Sequence, residues 1–162
     1  MATASVDLDA CIAAFLDAHH VMTLATAGET APHAANLFYA RDGLTLVWVS
    51  DESSRHSVEL EQHPQVAATV APDYPDFPAI RGLQISGRAQ RVADPHERAR
   101  LIALLEARYP FLEQLAAAPV ELRAAYARAQ VYRLDPTRIT YIANTLGFGH
   151  KETLDVEPRD LR

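Results

Sequence analysis

The densest run of chemistry-bearing side chains is Ser50-Asp51-Glu52-Ser53-Ser54-Arg55-His56. It directly follows the apolar segment 44–49 and is rich in residue types that open helices. A strand that feeds a capped helix commonly holds phosphate, because the free N–H groups and the positive dipole end of the helix both favour an anion. Ser53 and Ser54 would add hydroxyl donors and Arg55 a guanidinium fork, within a polar run bounded by Ser50 and His56. The same residues also suit an ordinary capped surface helix with a solvated arginine.

A second candidate is His33-Ala34-Ala35-Asn36. The small Ala34 and Ala35 would let a flat aromatic ring approach the main chain, and Asn36 can donate and accept in the plane of a pyrimidine-like edge. Alternatively, these alanines pack beneath a helix and leave Asn36 at an edge. Leu146-Gly147-Phe148-Gly149 sets an aromatic residue between glycines, which suits a lid, a partner-facing turn or a C-terminal clasp onto the fold. Trp48, alone inside an apolar run, is expected in the core. His56 and His63, with Glu59 nearby, are separated by about 10 Å along one helix, too far for a single metal ion. Neither a Gly-x-Ser-x-Gly elbow, a phosphate-loop lysine motif nor Gly-x-Gly-x-x-Gly occurs, so hydrolase, nucleoside-triphosphate and Rossmann chemistry lack their anchors.

These residues need elements to hold them. Leu8, Cys11, Ile12, Phe15, Leu16 and His19 recur at helical steps after Asp7, so an amphipathic helix opens the fold. Cys11 lies on its apolar stripe and is expected to be a buried structural thiol. Residues 21–26 and 33–40 read as strands joined by a turn. Arg41-Asp42-Gly43 marks a hairpin into the strand at 44–49, since Asp and Gly both tolerate positive φ. A short helix comes next and ends at Pro64. Two more strands, 66–71 and 82–92, flank a proline-rich loop. Asp94-Pro95-His96-Glu97 opens a helix to about residue 109, and Pro110 and Pro119 break the stretch 110–128 into a turn and a second helix. Residues 131–142 look extended, with Pro136 forcing a bend or an edge position. Six strands with interspersed helices give a mainly β, α+β fold, a barrel-like sheet in one domain over 1–151, with a loosely held tail at 152–162.

With 162 residues, 49% hydrophobic and 22% charged, the chain has the make-up of a water-soluble globule. No apolar run reaches membrane-spanning length, and residues 1–8 lack the features of a secretory signal, so a cytoplasmic protein without membrane contact is expected. A single cysteine, unable to form an internal disulfide, agrees with a reducing compartment. The net charge of −6 opposes general nucleic-acid binding.

Several segments occur in an order that resembles the pyridoxamine 5′-phosphate oxidase-like superfamily. They are Trp48-Val49-Ser50, Ser54-Arg55-His56, His63-Pro64-Gln65-Val66-Ala67 and Ile80-Arg81-Gly82-Leu83-Gln84-Ile85-Ser86-Gly87-Arg88-Ala89. Asn36-Leu37-Phe38-Tyr39 and Asn144-Thr145-Leu146-Gly147-Phe148-Gly149-His150-Lys151 further resemble a small, largely uncharacterised bacterial family within it. The resemblance implies a split β-barrel working as a homodimer, with FMN at the subunit interface and a small-molecule substrate. It places the FMN phosphate at Ser54-Arg55-His56, with His56 where relatives usually carry lysine, and the ring edge beside the strand that begins at His33. Cofactor contacts are therefore expected at His33, Ala35, Asn36, Leu37, Ser50, Ser53, Ser54, Arg55, His56, Gln84 and Phe148. FMN-dependent oxidoreductase activity is one implied function. The other is a non-catalytic protein that holds flavin, haem or deazaflavin on the same dimeric barrel. The signature at 144–151 replaces the substrate-gripping tail of a true pyridoxamine phosphate oxidase, and no residue is assigned as a catalytic acid or base.

Overall fold

A computed structural model describes residues 7–157. Asp7 caps α1 (Leu8–Ala18) by accepting from Asp9 N, and the helix buries Ile12, Phe15 and Leu16. There follow β1 (Val21–Ala27), β2 (Pro32–Phe38), β3 (Ala40–Asp42), β4 (Thr45–Ser50), α2 (Arg55–Gln62), β5 (Gln65–Val70) and β6 (Arg81–Arg91). The chain continues through α3 (Pro95–Arg108), α4 (Val120–Arg128), β7 (Gln130–Ala143) and β8 (Lys151–Asp155), with 3₁₀ segments at Pro110–Ala117 and Asn144–Leu146. Every strand pair is antiparallel, in the order β2-β1-β5-β6-β7-β4-β3, with β8 also beside β7.

That order forces a shape. β2 and β3 stand at opposite ends of the path, yet only Tyr39 separates them in sequence, so the sheet curls until its two edges meet. The result is the expected α+β split barrel. Tyr39 is fully buried, its N–H donates to His20 O, and its hydroxyl donates to Leu16 O at 2.9 Å. The stretch expected as one strand at 33–40 is therefore two, divided where the chain crosses from one edge to the other. In the β3–β4 hairpin the closing pair is Asp42 with Thr45, and of the turn residues only Gly43 takes positive φ, 65°, the pattern of a II′ turn.

β7 organises the sheet. Its first half pairs with β4 and its second half with β8, while β6 runs along its other side throughout. Pro136 sits at the changeover, where a missing N–H costs nothing on the β4/β8 side, and the β6–β7 register shifts beside it at Ser86/Gly87. A Cβ at Gly87 would collide with the carbonyl of Asp135, so the two backbones can cross closely only with glycine there. Pro136 thus bends an interior strand and does not mark an edge. The segment expected to trail loosely from residue 152 is instead held on β7 as far as Asp155; residues 158–162 lie outside the described residues.

Two apolar clusters result. The larger fills the barrel with α1, Met22, Leu24, Trp48, Leu83, Ile85, Tyr132 and Ile139. Trp48 is in this core, as expected, stacked on Tyr132 at 5.8 Å. Cys11 is only partly covered, because it rims a surface cleft beside Leu8 and Tyr141. The second cluster packs Leu101, Leu105 and Tyr109 of the α3 region on Val47 and Val131, covering the outer face of β4 and the start of β7. Both faces of the sheet are buried there.

Arg108 ties these layers together. Its Nη2 donates to the carbonyls of Leu16 (3.1 Å), Asp17 (3.2 Å) and His19 (2.6 Å), and its guanidinium lies 5.7 Å from the ring centroids of both Tyr39 and Tyr109. The last turn of α1 has no basic residue of its own, so α3 supplies the cation that its carbonyl end favours. Replacing Arg108 with Ala is expected to lower the unfolding free energy by about 2–3 kcal/mol. Lys at the same position should recover less than half, because one ammonium cannot span the three carbonyls while lying over the rings. Urea denaturation of the three proteins checks this; an Ala variant within about 0.5 kcal/mol of the parent would contradict it.

Candidate functional site

Ser50 closes β4 on the same face as Trp48, and α2 begins with Arg55 after a short turn. Ser54 is the N-cap residue, but its hydroxyl does not cap. It lies 3.2 Å from Ser50 Oγ and 3.1 Å from His56 Nε2, and it donates to Ser57 Oγ at 2.8 Å. His56 Nε2 also meets Ser50 Oγ at 2.7 Å. His56 and Ser57 are buried. Burial, and then the nearby His33, hold the His56 imidazole below its usual pKa against the opposing pull of Glu59, so the ring is neutral at neutral pH. The first turn of α2 contains no acidic residue, and its N–H end keeps its positive character.

Arg55 is held in place from its own helix. Its Nε donates to Glu59 Oε1 at 2.7 Å and its Nη2 to Ala31 O at 3.3 Å, while its side chain stays 53% exposed. Glu59 is buried and accepts from Thr26 Oγ1 at 2.5 Å. The Thr26 and Arg55 hydrogen bonds keep the Glu59 carboxyl below its ordinary pKa and therefore ionised. Gly28 completes this clamp: a Cβ there would stand 2.5 Å from Glu59 Oε1 and 2.8 Å from Ala31 O. The end of β1, the turn into β2 and the start of α2 are thus locked around one ion pair.

The expected contact residues fall into separate places. Ser50, Ser54 and His56 converge, and His33 is close enough to His56 to act on its charge, whereas the Arg55 guanidinium turns to Glu59 and Ala31 O. Ser53 does not join them: it is exposed, and both its N–H and its hydroxyl donate to Asp51 Oδ1, at 2.8 and 2.6 Å. Ala35 and Leu37 follow His33 on the inward face of β2, whereas Asn36 points outward and accepts from Thr23 Oγ1 at 2.8 Å. Strand alternation therefore splits the contacts expected along β2 between two faces. Gln84 is exposed on the same outer face as Asn36. Phe148 lies in the loop between β7 and β8, level with the opposite end of β1 from Arg55.

Sequence reasoning missed the parts that Glu59, Thr26, Gly28 and Ser57 play. The Arg55–Glu59 spacing of one helical turn is a legible signal for an ion pair. That the pair docks on Thr26 and excludes a Cβ at position 28 depends on how α2 packs against β1, which periodicity does not encode. Beside this corner a cleft of about 370 Å³ opens on the sheet, floored by small residues that include Ala25, Ala27, Pro32, Ala67 and Ser86.

The family model for pyridoxamine 5′-phosphate oxidase matches residues 8–143. A UPF0306 protein of Klebsiella pneumoniae is 32% identical over 148 residues, covering 90% of this chain and 92% of that protein. Among solved structures, a heme-binding protein from Mycobacterium smegmatis superposes with TM-score 0.71 at 23% identity, over 96% of this chain and 60% of the other. An FAD-binding protein from Mesorhizobium loti gives TM-score 0.63 at 18% identity, over 84% and 93%. Split barrel, strand order and family model agree, and the chain belongs to the pyridoxamine 5′-phosphate oxidase family, with UPF0306 proteins among its relatives.

Proposed function

We propose that this chain is an FMN-binding protein of oxidoreductase type, working in the cytoplasm as a homodimer with a small-molecule substrate. The observation that carries the reading is the convergence of Ser50, Ser54 and His56 at the start of α2, with the Arg55 guanidinium half-exposed on the same first turn. Two hydroxyls, a helix start and a half-exposed guanidinium form a donor set that fits a phosphate monoester. The neighbouring cleft, floored by alanines, suits a flat ring lying close to the main chain. When bound, flavin would supply hydride or electron transfer, while the protein fixes its position and electrostatics. Among the described residues, no helix is long and apolar enough to cross a membrane.

A second reading is a non-catalytic holder of flavin, haem or deazaflavin. One observation favours it: Glu59 offsets the charge of Arg55 and His56 is neutral, so the anion site is weakly cationic. An absorption spectrum of the purified protein separates flavin from haem, and bleaching of a bound flavin by NADH or NADPH followed by turnover separates an oxidoreductase from a holder.

Arg55→Ala is expected to weaken FMN binding roughly ten- to a hundredfold while changing riboflavin binding little, because only FMN carries the phosphate. Calorimetric titration with both ligands checks this, and equal losses for the two would place the phosphate elsewhere. A bound phosphate would raise the depressed His56 pKa, so binding should take up a proton. FMN affinity should then rise as pH falls through the raised pKa that His56 has with ligand bound, and level off once the pH passes below its depressed value in the free protein. His56→Gln should abolish this pH-dependent gain relative to wild type; an unchanged slope would show that another group, or the ligand itself, takes the proton.

A further inference from the structure

The anion corner makes no use of the segment between β7 and β8, and this segment walls a second cleft. About 270 Å³ in volume, the cleft opens between the start of α1, the strands β6 to β8 and the 3₁₀ turn that follows β7. Arg81 sits there level with the start of β1, whereas Arg55 is held at the end of β1. Leu8, Tyr141 and Leu146 supply apolar walls, with Cys11 at the rim. The wall from the 3₁₀ turn is braced: Asn144 Nδ2 donates to Phe77 O at 2.7 Å, and Asn144 Oδ1 accepts from Gly149 N at 3.0 Å.

Two opposite charges face each other across these walls. Arg81, Tyr141 and Glu152 share the sheet face of the core residue Leu83, because Tyr141 pairs with both Leu83 and Glu152 and Arg81 stands two residues before Leu83. β7 runs between Arg81 and Glu152, which places their Cα atoms about 12 Å apart. Arg81 makes no hydrogen bond or ion pair among the described residues. Its charge reaches His19 at the end of α1, and burial first, then Arg81 and His20, hold that imidazole below its ordinary pKa, so His19 adds no competing positive charge. Glu152 Oε1 meets His150 Nε2 at 2.8 Å, while Oε2 makes no hydrogen bond among the described residues. A simple carboxylate would gain from Arg81 but be opposed by Glu152, and a simple amine the reverse. A molecule carrying both charges close together avoids either conflict.

We propose that this cleft binds a small zwitterion, an α-amino acid with an apolar side chain. Its carboxylate meets Arg81, its ammonium meets Glu152, and its side chain lies against Leu8, Tyr141 and Leu146. Such a head with a charge-assisted hydrogen bond at each end spans roughly 8–9 Å, which a modest inward lean of the two side chains closes. The volume also selects for size, since pockets for drug-sized ligands run from roughly 300 to 1,000 Å³. The site is independent of the flavin reading.

Calorimetric titration of the full chain with L-phenylalanine and L-leucine tests it, each compared with its deaminated acid and its decarboxylated amine. At least one of the two amino acids should bind saturably, and loss of either charge should weaken binding about tenfold. Arg81→Gln should erase the advantage of the amino acid over the amine, and Glu152→Gln its advantage over the acid. Because each variant is judged by which analogue it stops discriminating, a general loss of stability does not mimic the pattern. Cys11, the single cysteine of the chain, gives a second readout: the bound amino acid should slow its alkylation by N-ethylmaleimide several-fold, with or without flavin present. Absence of saturable binding by both amino acids would overturn the proposal, as would an acid or amine that binds as tightly as its amino acid. Binding that both variants leave within twofold, or that leaves Cys11 unprotected, would place the ligand elsewhere and overturn it equally.

Discussion

One residue sets the shape of this molecule. Tyr39 is the whole connection between the two edge strands, so an eight-stranded sheet that could otherwise stay open is closed on itself. Such a link is tolerable only if its polar groups are satisfied, because Tyr39 is fully buried. Its N–H reaches His20, its hydroxyl reaches Leu16, and its carbonyl accepts from the hydroxyl of Tyr109. Burial drives the Tyr39 hydroxyl far above its ordinary pKa, so it remains a donor throughout the physiological range. Arg108 lies over the same ring and holds the end of α1, and the link, the opening helix and the outer helix depend on one another.

Closure fixes what the faces can do. With its edges meeting at Tyr39, the sheet encloses one large core, and β7 must bend to follow the curve. Gly87 and Pro136 make that bend possible, the first by permitting close backbone approach and the second by sitting where β7 exchanges β4 for β8. The bend also divides the outer surface. The α3 region packs over the half of β7 that pairs with β4, leaving the half beside β8 bare. The anion corner lies at the end of β1, next to the bare side, because α2 leaves β4 there and docks its carboxylate on Thr26.

Most of this framework is legible from local sequence. The helix caps at Asp7 and Asp94, the hairpin at Gly43 and the break at Pro110 are encoded within a few residues of where they act. The features that sequence does not reveal require distant partners. The division of 33–40 depends on Tyr39 finding His20 and Leu16; alternation alone would let that strand continue. The short β8 segment is a strand because β7 offers an edge for it, and its composition gives little reason to expect one. At the proposed site, Ser50, Ser54 and His56 are close in sequence and also meet in space. Side-chain orientation is harder to read: Ser53 turns to Asp51, and Asn36 falls on the face opposite to His33, an outcome set by strand phase.

The electrostatics of that corner follow from packing more than from formal charge. An arginine at a helix start would ordinarily present a full positive charge beside the helix dipole. Here the same turn of helix carries Glu59, and burial keeps this carboxylate pressed on Arg55 and Thr26 instead of solvated. The His56 imidazole is also buried, and loses its proton for that reason. Attraction for an anion therefore rests on directed hydrogen bonds, from two hydroxyls, the helix N–H end and the exposed part of one guanidinium. A phosphate held there, as proposed, would be recognised more by its shape than by its net charge. The site's affinity for a ligand would then depend heavily on the apolar part of that ligand, and on whichever surface covers it.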